Sequence, residues 1–222
     1  MNSLAQGLAL IFDLDGVIVD SNPVHEEAWR IYACRFGIEL DGKMLGRMYG
    51  RRNDDIVRDF FGGHLSMEEI GARGAEKEAL YRRMMEDQLD RWLVAGIRPF
   101  LGKFNGAPIG LATNAEPANT DFVLDGSGLR RHFRVVIDGH QVRSPKPDPQ
   151  IYLLAARLLC TDPRNCIVFE DSHSGVEAAR AAGARVVALT TTHSRIDQAD
   201  LNIRDFLTPE LEPWLNRQTP FV

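Results

Sequence analysis

The 222-residue sequence predicts an α/β fold: a parallel sheet covered on both faces, with an all-helical segment inserted after its first strand. Three observations carry this. The apolar runs at 8–12, 109–113, 135–138, 167–169 and 186–189 are continuous rather than alternating, as in strands buried on both faces. From Ile97 onward they alternate with helical patterns, the order that builds parallel sheets. Between these α/β stretches, residues 21–95 read as helical throughout.

Taken in order, the run at 8–12 is a buried strand that ends in Asp13-Leu14-Asp15-Gly16. Val24, Ala28, Ile31, Tyr32 and Phe36 then fall at helical spacing, and Gly37 suits the helix end. A short helix is expected around residues 43–48. Gly50, Arg51 and Arg52 form a loop, with Asn53 as N-cap of a helix over 54–61 that Gly62-Gly63 breaks. Ser66-Met67-Glu68-Glu69 offers a capping box for a longer helix running towards Trp92. In the second half, Asp148-Pro149 opens a helix that reaches about Cys160. Ser174-Gly175-Val176-Glu177 caps an alanine-rich helix that Gly183 ends. The run at 186–189 is the last expected strand.

Composition is that of an ordinary globular protein, with no repeat or biased segment. A net charge of −5 gives no reason to expect nucleic acid or an acidic membrane surface as partner. The apolar runs are too short to cross a bilayer. No basic segment and cleavage site precede the first strand, so a cytoplasmic protein is expected. Cys34, Cys160 and Cys166 are odd in number and lack zinc-ligand spacing, so they are expected to be buried free thiols. Lysine occurs only at Lys43, Lys77, Lys103 and Lys146, which draws attention to any lysine in a motif position.

In sheets of this kind ligands sit outside the carboxyl ends of the strands. Asp13 and Asp15 share one face of the chain at such an end, and Gly16 permits a tight turn. Thr113 with Asn114, and Glu170 with Asp171, close two other strands, and Lys146 follows a fourth by a proline-rich loop. Carboxylate oxygens without His or Cys favour a hard ion such as magnesium. Beside a lysine and a hydroxyl, that ion suits a phosphoryl group. One aspartate can attack phosphorus, and a second two residues on can protonate the leaving oxygen and then deprotonate water. A helical insertion placed just after the first of these strands would sit over its carboxyl end, as a lid.

Asp13-Leu14-Asp15-Gly16, Thr113, Lys146 and Glu170-Asp171 match, in order and strand placement, the four motifs of the haloacid dehalogenase superfamily. The resemblance covers essentially the whole chain. It implies a Rossmann-like core with a parallel sheet, residues 1–20 and 96–222, plus an inserted all-helical cap domain, residues 21–95. It also implies Asp13 as nucleophile and Mg2+ ligand, and Asp15 as general acid/base whose main-chain carbonyl joins the metal. Thr113 and Lys146 would hold the phosphoryl oxygens, and Glu170 and Asp171 would complete the metal site. The dehalogenase members lack the second aspartate, so Asp15 points away from carbon–halogen chemistry. In appearance the chain is most similar to β-phosphoglucomutase and related sugar phosphatases. There a histidine matching His25 assists acid/base positioning, and a cap lysine matching Lys77 reaches substrate. Gly50, Arg51, Arg52 and Asn53 lie at the cap specificity loop, and Asn114 lies beside the phosphoryl-binding hydroxyl.

Two departures from that subfamily stand out. Its mutases grip a second phosphate with a serine-lysine-asparagine segment, where this chain has Ala115-Glu116-Pro117. Glu116 would repel a phosphate and Pro117 offers no N–H. The segment 99–108, with Gly102, Gly106 and Pro108, replaces a longer helix. The expectation is a magnesium-dependent phosphatase acting on a small phosphorylated metabolite, a sugar phosphate, through an aspartyl-phosphate. Its rivals are a phosphomutase and a catalytically silent ligand-binding member. His64, His132, His140, His173 and His193 read as surface or loop residues. Trp29 and Trp92 read as cap core, and Thr190-Thr191-Thr192 as a polar strand exit without chemistry.

Overall fold

The computed structural model describes residue 5 and residues 7–220. Six strands, β1 (Ala9–Phe12), β2 (Ile109–Ala112), β3 (Val135–Ile137), β4 (Cys166–Glu170), β5 (Arg185–Leu189) and β6 (Leu201–Ile203), form one sheet in the order β3-β2-β1-β4-β5-β6. Every adjacent pair is parallel. β1 is therefore central, with all four residues fully buried. Its side chains alternate as a pleated strand requires. Leu10 and Phe12 enter one apolar cluster, with Phe100, Phe169 and Phe206, while Ala9 and Ile11 enter another on the opposite face, with Ile151, Val168 and Val176. Burial on both faces is the reason these runs are apolar throughout.

Helices α1 (Asn22–Cys34), α2 (Gly42–Leu45), α3 (Asn53–Phe61), α4 (Met67–Met85) and α5 (Leu89–Trp92) all lie between β1 and β2 in the chain. The first four build a third apolar cluster around Trp29, Tyr32, Phe60, Phe61 and Ile70. The chain leaves and returns side by side: Asp20 N–H donates to Trp92 O at 2.8 Å, and Val94 N–H to Ile18 O at 3.0 Å. Ser66 and Glu69 form the expected capping box of α4. The remaining helices are α6 (Ile97–Lys103), α7 (Pro117–Gly126), α8 (Gln150–Leu158), α9 (His173–Ala181) and α10 (Leu211–Asn216).

Several expectations are corrected. Residues 97–103 form a helix, α6, that buries Ile97, Phe100 and Leu101. Pro99 sits in its first turn, where a missing N–H leaves no intrahelical bond unmade. The long helix from Met67 stops at Met85 and restarts as α5. Asn53 is the first residue of α3 rather than its cap, and Ser172, not Ser174, caps α9 by accepting from Gly175 N–H. Strand β6 and helix α10 carry too weak a pattern to have been expected. Trp92 packs against the large cluster beneath the sheet rather than in the cluster of Trp29. Cys34 and Cys160 are exposed, and only Cys166 is buried. Among the described residues no helix is long and apolar enough to cross a membrane.

Phe12 links the sheet to the large cluster, stacking on Phe169 at 4.6 Å between ring centroids and meeting Phe100 and Phe133 edge-on. Phe12→Ala should cost about 3–5 kcal/mol of stability, read as a lowered urea midpoint. A cost below about 1 kcal/mol would mean that β1 is not central to the packing.

Candidate active site

The strand order places the ends of β1, β2 and β4 side by side, and the loop after β3 at the same edge. Asp13 follows β1, with its N–H donating to Phe169 O at 3.0 Å. Lys146 reaches in from its loop, and its ammonium donates to Asp13 Oδ1 at 2.6 Å, Glu170 Oε1 at 2.6 Å and Ala112 O at 3.1 Å. All three of its N–H donors are therefore used, the condition under which a lysine can be as deeply buried as this one. Glu170 also accepts from Tyr152 OH at 2.6 Å, from the Asp171 and Ser172 N–H groups and from Ser172 Oγ. Asp171 Oδ2 accepts from Asn22 Nδ2 at 3.0 Å and from Thr192 Oγ1.

Asp13, Glu170 and Asp171 each bring an oxygen within 4.8 Å of the others, and all three are buried. Three carboxylates against one ammonium leave negative charge in excess where water cannot screen it. Burial pushes the Asp13 carboxyl up to about 7 despite Lys146, with Glu170 adding to the rise. Burial, then the charges of Glu170 and Asp13, holds Asp171 well above the usual carboxylate range. Glu170 moves the other way, because Lys146, Tyr152 and Ser172 outweigh its burial. The donor set is all oxygen, and Asp13 Oδ2 and Asp171 Oδ1 accept no hydrogen bond from a described residue. An all-oxygen cluster with two uncommitted oxygens and surplus charge fits a hard divalent cation. Gly16, at φ +72°, is held to glycine twice over: a Cβ there would lie 1.9 Å from Asp171 Oδ2.

Asp15 lies beside this cluster and is partly exposed. It accepts from Ser21 Oγ at 2.5 Å, and His25 Nε2 stands 3.4 Å away. Burial opposes its ionisation, but His25 and Ser21 together hold its carboxyl below the usual range. His25 stacks on Tyr81 at 3.8 Å, and its Nδ1 lies 3.0 Å from Lys77 Nζ. An ammonium can only donate, so Nδ1 must accept, and the ring proton then sits on Nε2, facing Asp15. Lys77 is not a solvated helix lysine: it is buried over the Trp29 ring and donates to Glu78 Oε1 at 2.5 Å.

A cleft is lined by Asp13, Asp15, His25, Lys77, Thr113 and Lys146, among others. Gly50, Arg51, Asn53, Asn114 and Asp171 also line it, so most of the expected residues converge there. Thr113 Oγ1 accepts from Ala115 N–H at 3.1 Å, and Asn114 Nδ2 donates to Gly50 O at 2.8 Å. Arg51 reaches the cleft but is held by Asp59 at 3.0 Å. Arg52 does not line the cleft. Its guanidinium turns to the loop after β3 and donates to the carbonyls of Gly139, Val142 and Arg143. His173 is exposed and lies against His193, outside the cleft.

The model of the haloacid dehalogenase-like hydrolase family matches residues 8–183. The chain belongs to that family. It is 32% identical over 179 residues to the fructose-1-phosphate phosphatase YqaB of Escherichia coli, covering 80% of this chain and 94% of that one. It is 30% identical over 221 residues to the β-phosphoglucomutase of Bacillus subtilis, covering 93% and 95%. A solved β-phosphoglucomutase from Clostridium difficile superposes with a TM-score of 0.82 at 28% identity, covering 93% of this chain and 96% of that one. Phosphatase relatives within a hydrolase family make this chain an enzyme of phosphatase type.

In this hydrolase several neighbours of the site escape sequence reasoning. Thr192, read as a strand exit without chemistry, donates to Asp171, and Thr191 donates to Gly16 O at 2.7 Å. Tyr152 and Asn22 carry no signal beyond an ordinary helix position. Glu78 follows Lys77 and accepts from Asn53 Nδ2 at 2.8 Å and Asn119 Nδ2 at 2.6 Å. Although burial opposes it, Lys77 and His25 with the Asn119 amide hold the Glu78 carboxyl down at about 2, against an ordinary 4.5. A depressed carboxylate stabilises the fold above its unfolded pKa and loses that contribution as pH falls through the folded one. Glu78 should therefore contribute about 3 kcal/mol near neutral pH. The stability gap between wild type and Glu78→Gln should shrink as pH falls from 4.5 towards 2, measured by urea unfolding. A gap that widens on acidification would reverse the assignment.

Proposed function

We propose that this hydrolase is a magnesium-dependent phosphatase that cleaves a small phosphomonoester, a sugar phosphate, through an aspartyl-phosphate on Asp13. The observation that supports it most is the constellation of Asp13 and Lys146 at 2.6 Å with Asp15 two residues on, in one cleft with Thr113. Relatives named for phosphatases of fructose 1-phosphate and of phosphorylated carbohydrates support the substrate class.

In this reading the Asp13 carboxylate attacks phosphorus, and the bond to the ester oxygen breaks as Asp15, ionised in the resting site and protonated once substrate is bound, gives that oxygen its proton. Water then attacks the aspartyl-phosphate, losing a proton to Asp15 and releasing phosphate. His25 Nε2–H, Ser21 and the stacked Tyr81 hold Asp15 in place for both transfers. Thr113 and the positive charge of Lys146 stabilise the phosphoryl oxygens, and Lys146 lowers the Asp13 pKa against its burial, favouring the anion that attacks. Asp13, Glu170, Asp171 and the Asp15 carbonyl would hold the ion. Bound there, Mg2+ supplies the positive charge that phosphoryl oxygens and crowded carboxylates need.

We further propose that residues 21–95 act as a cap over a core of residues 1–20 and 96–222, opening for exchange and closing to keep bulk water out. Contacts from Arg52 to the loop after β3, and from Asn114 to Gly50, suit the closed state. Mutase chemistry is the rival, given the β-phosphoglucomutase relatives. A mutase must hold a bisphosphate intermediate, and the Ala115-Glu116-Pro117 segment opposes a second phosphate. A silent binding role has no use for the acid pair Asp13 and Asp15.

Asp13→Asn should lower phosphate release from a panel of sugar monophosphates by at least about a thousand-fold while leaving the circular dichroism spectrum unchanged. Chelation should abolish wild-type release, and added magnesium should restore it. Substantial turnover by Asp13→Asn would rule out the aspartyl-phosphate. Isomerisation without phosphate release would replace hydrolase by mutase.

A further inference from the structure

The cleft holds a second pair of carboxylates that the phosphoryl chemistry leaves unused. Glu116, the residue that precedes α7, and Glu78 on α4 both accept from the Asn53 amide nitrogen, at 2.9 and 2.8 Å. Both line the same cleft as Asp13. Their charges are treated differently. Glu78 is neutralised by Lys77, whereas no described cation forms an ion pair with Glu116. Glu116 Oε2 also accepts no hydrogen bond from a described residue.

The cationic side chains lining the cleft are all committed elsewhere. Lys146 is held by Asp13 and Glu170, Lys77 by Glu78, and Arg51 by Asp59. A second anionic group on a ligand would therefore find no uncommitted lysine or arginine, and would meet the Glu116 carboxylate instead. Like charges brought together in a partly desolvated site repel strongly. A hydroxyl in the same place would donate to Glu116 Oε2. Discrimination of this kind comes as much from what the site repels as from what it holds.

Building on the phosphatase reading, we infer that the enzyme selects phosphomonoesters whose non-reacting part is hydroxylated and carries no second phosphate or carboxylate, with Glu116 as the selecting residue.

The test uses matched pairs that differ in a second anion: fructose monophosphate against fructose bisphosphate, and glycerol phosphate against phosphoglycerate. p-Nitrophenyl phosphate serves as a generic ester. For wild type, kcat/KM should favour the single-anion member of each pair by about 100-fold or more. Glu116→Gln keeps an oxygen for the Asn53 amide but loses the charge, so the ratio should fall by about 10-fold or more. A merely structural role would lower both members of a pair alike and leave the ratio unmoved, which would overturn the assignment to Glu116. Turnover of p-nitrophenyl phosphate without discrimination within the pairs overturns this inference alone. Inertness towards every ester, p-nitrophenyl phosphate included, overturns the phosphatase reading and the inference with it.

Discussion

The Lys146 ammonium between Asp13 and Glu170 is the interaction on which the rest of the site depends. A buried ammonium is costly unless every donor is met, and here two carboxylates and the Ala112 carbonyl meet all three. Those partners come from the ends of β1, β4 and β2, so the contact exists only if these strands lie side by side in that order. Strand order, a packing outcome governed by apolar runs, is thereby tied to a polar geometry. One ammonium cannot balance three carboxylates, however, and burial together with the surplus charge leaves Asp13 and Asp171 with raised pKa values. The same imbalance makes the cluster a place for a divalent cation.

A second buried lysine does for the helical insertion what Lys146 does for the sheet. Lys77 joins Glu78 to His25, and His25 in turn faces Asp15. The residue proposed to move protons is therefore held from the helical side, while the residue proposed to attack is held from the sheet side. Asn53 extends this network to Glu116 at the start of α7, and Asn119 on α7 donates to Glu78. Closure and selectivity would then share one set of hydrogen bonds, so a ligand that disturbs Glu116 would also disturb the positioning of Asp15.

Much of this was legible in the sequence, for an identifiable reason. Continuous apolar runs ending in Asp13, Thr113 and Glu170 report both a buried strand and its polar terminus, and the parallel-sheet rule joins those termini in space. The capping box at Ser66 was equally direct, because both of its partners lie within four residues. What escaped depends on contacts between distant segments. Thr192 and Tyr152 look ordinary until the fold brings them to Asp171 and Glu170. Arg52, read as a substrate residue from its place in a loop, turns to backbone carbonyls some ninety residues away. Nothing in a local pattern sets which way such a side chain points. Helix α6 was missed because glycine and proline in a short window outweighed Phe100 and Leu101, whose burial decides the outcome.

The most direct test of the charge argument is the melting temperature of wild type and of Asp171→Asn, each with and without millimolar magnesium. If surplus carboxylate charge governs the site, magnesium should raise the wild-type midpoint by several degrees through preferential binding to the folded state. Asp171→Asn, relieved of one charge and one oxygen ligand, should start higher and respond little. Equal magnesium responses in the two proteins, or a lower starting midpoint for Asp171→Asn, would contradict the account.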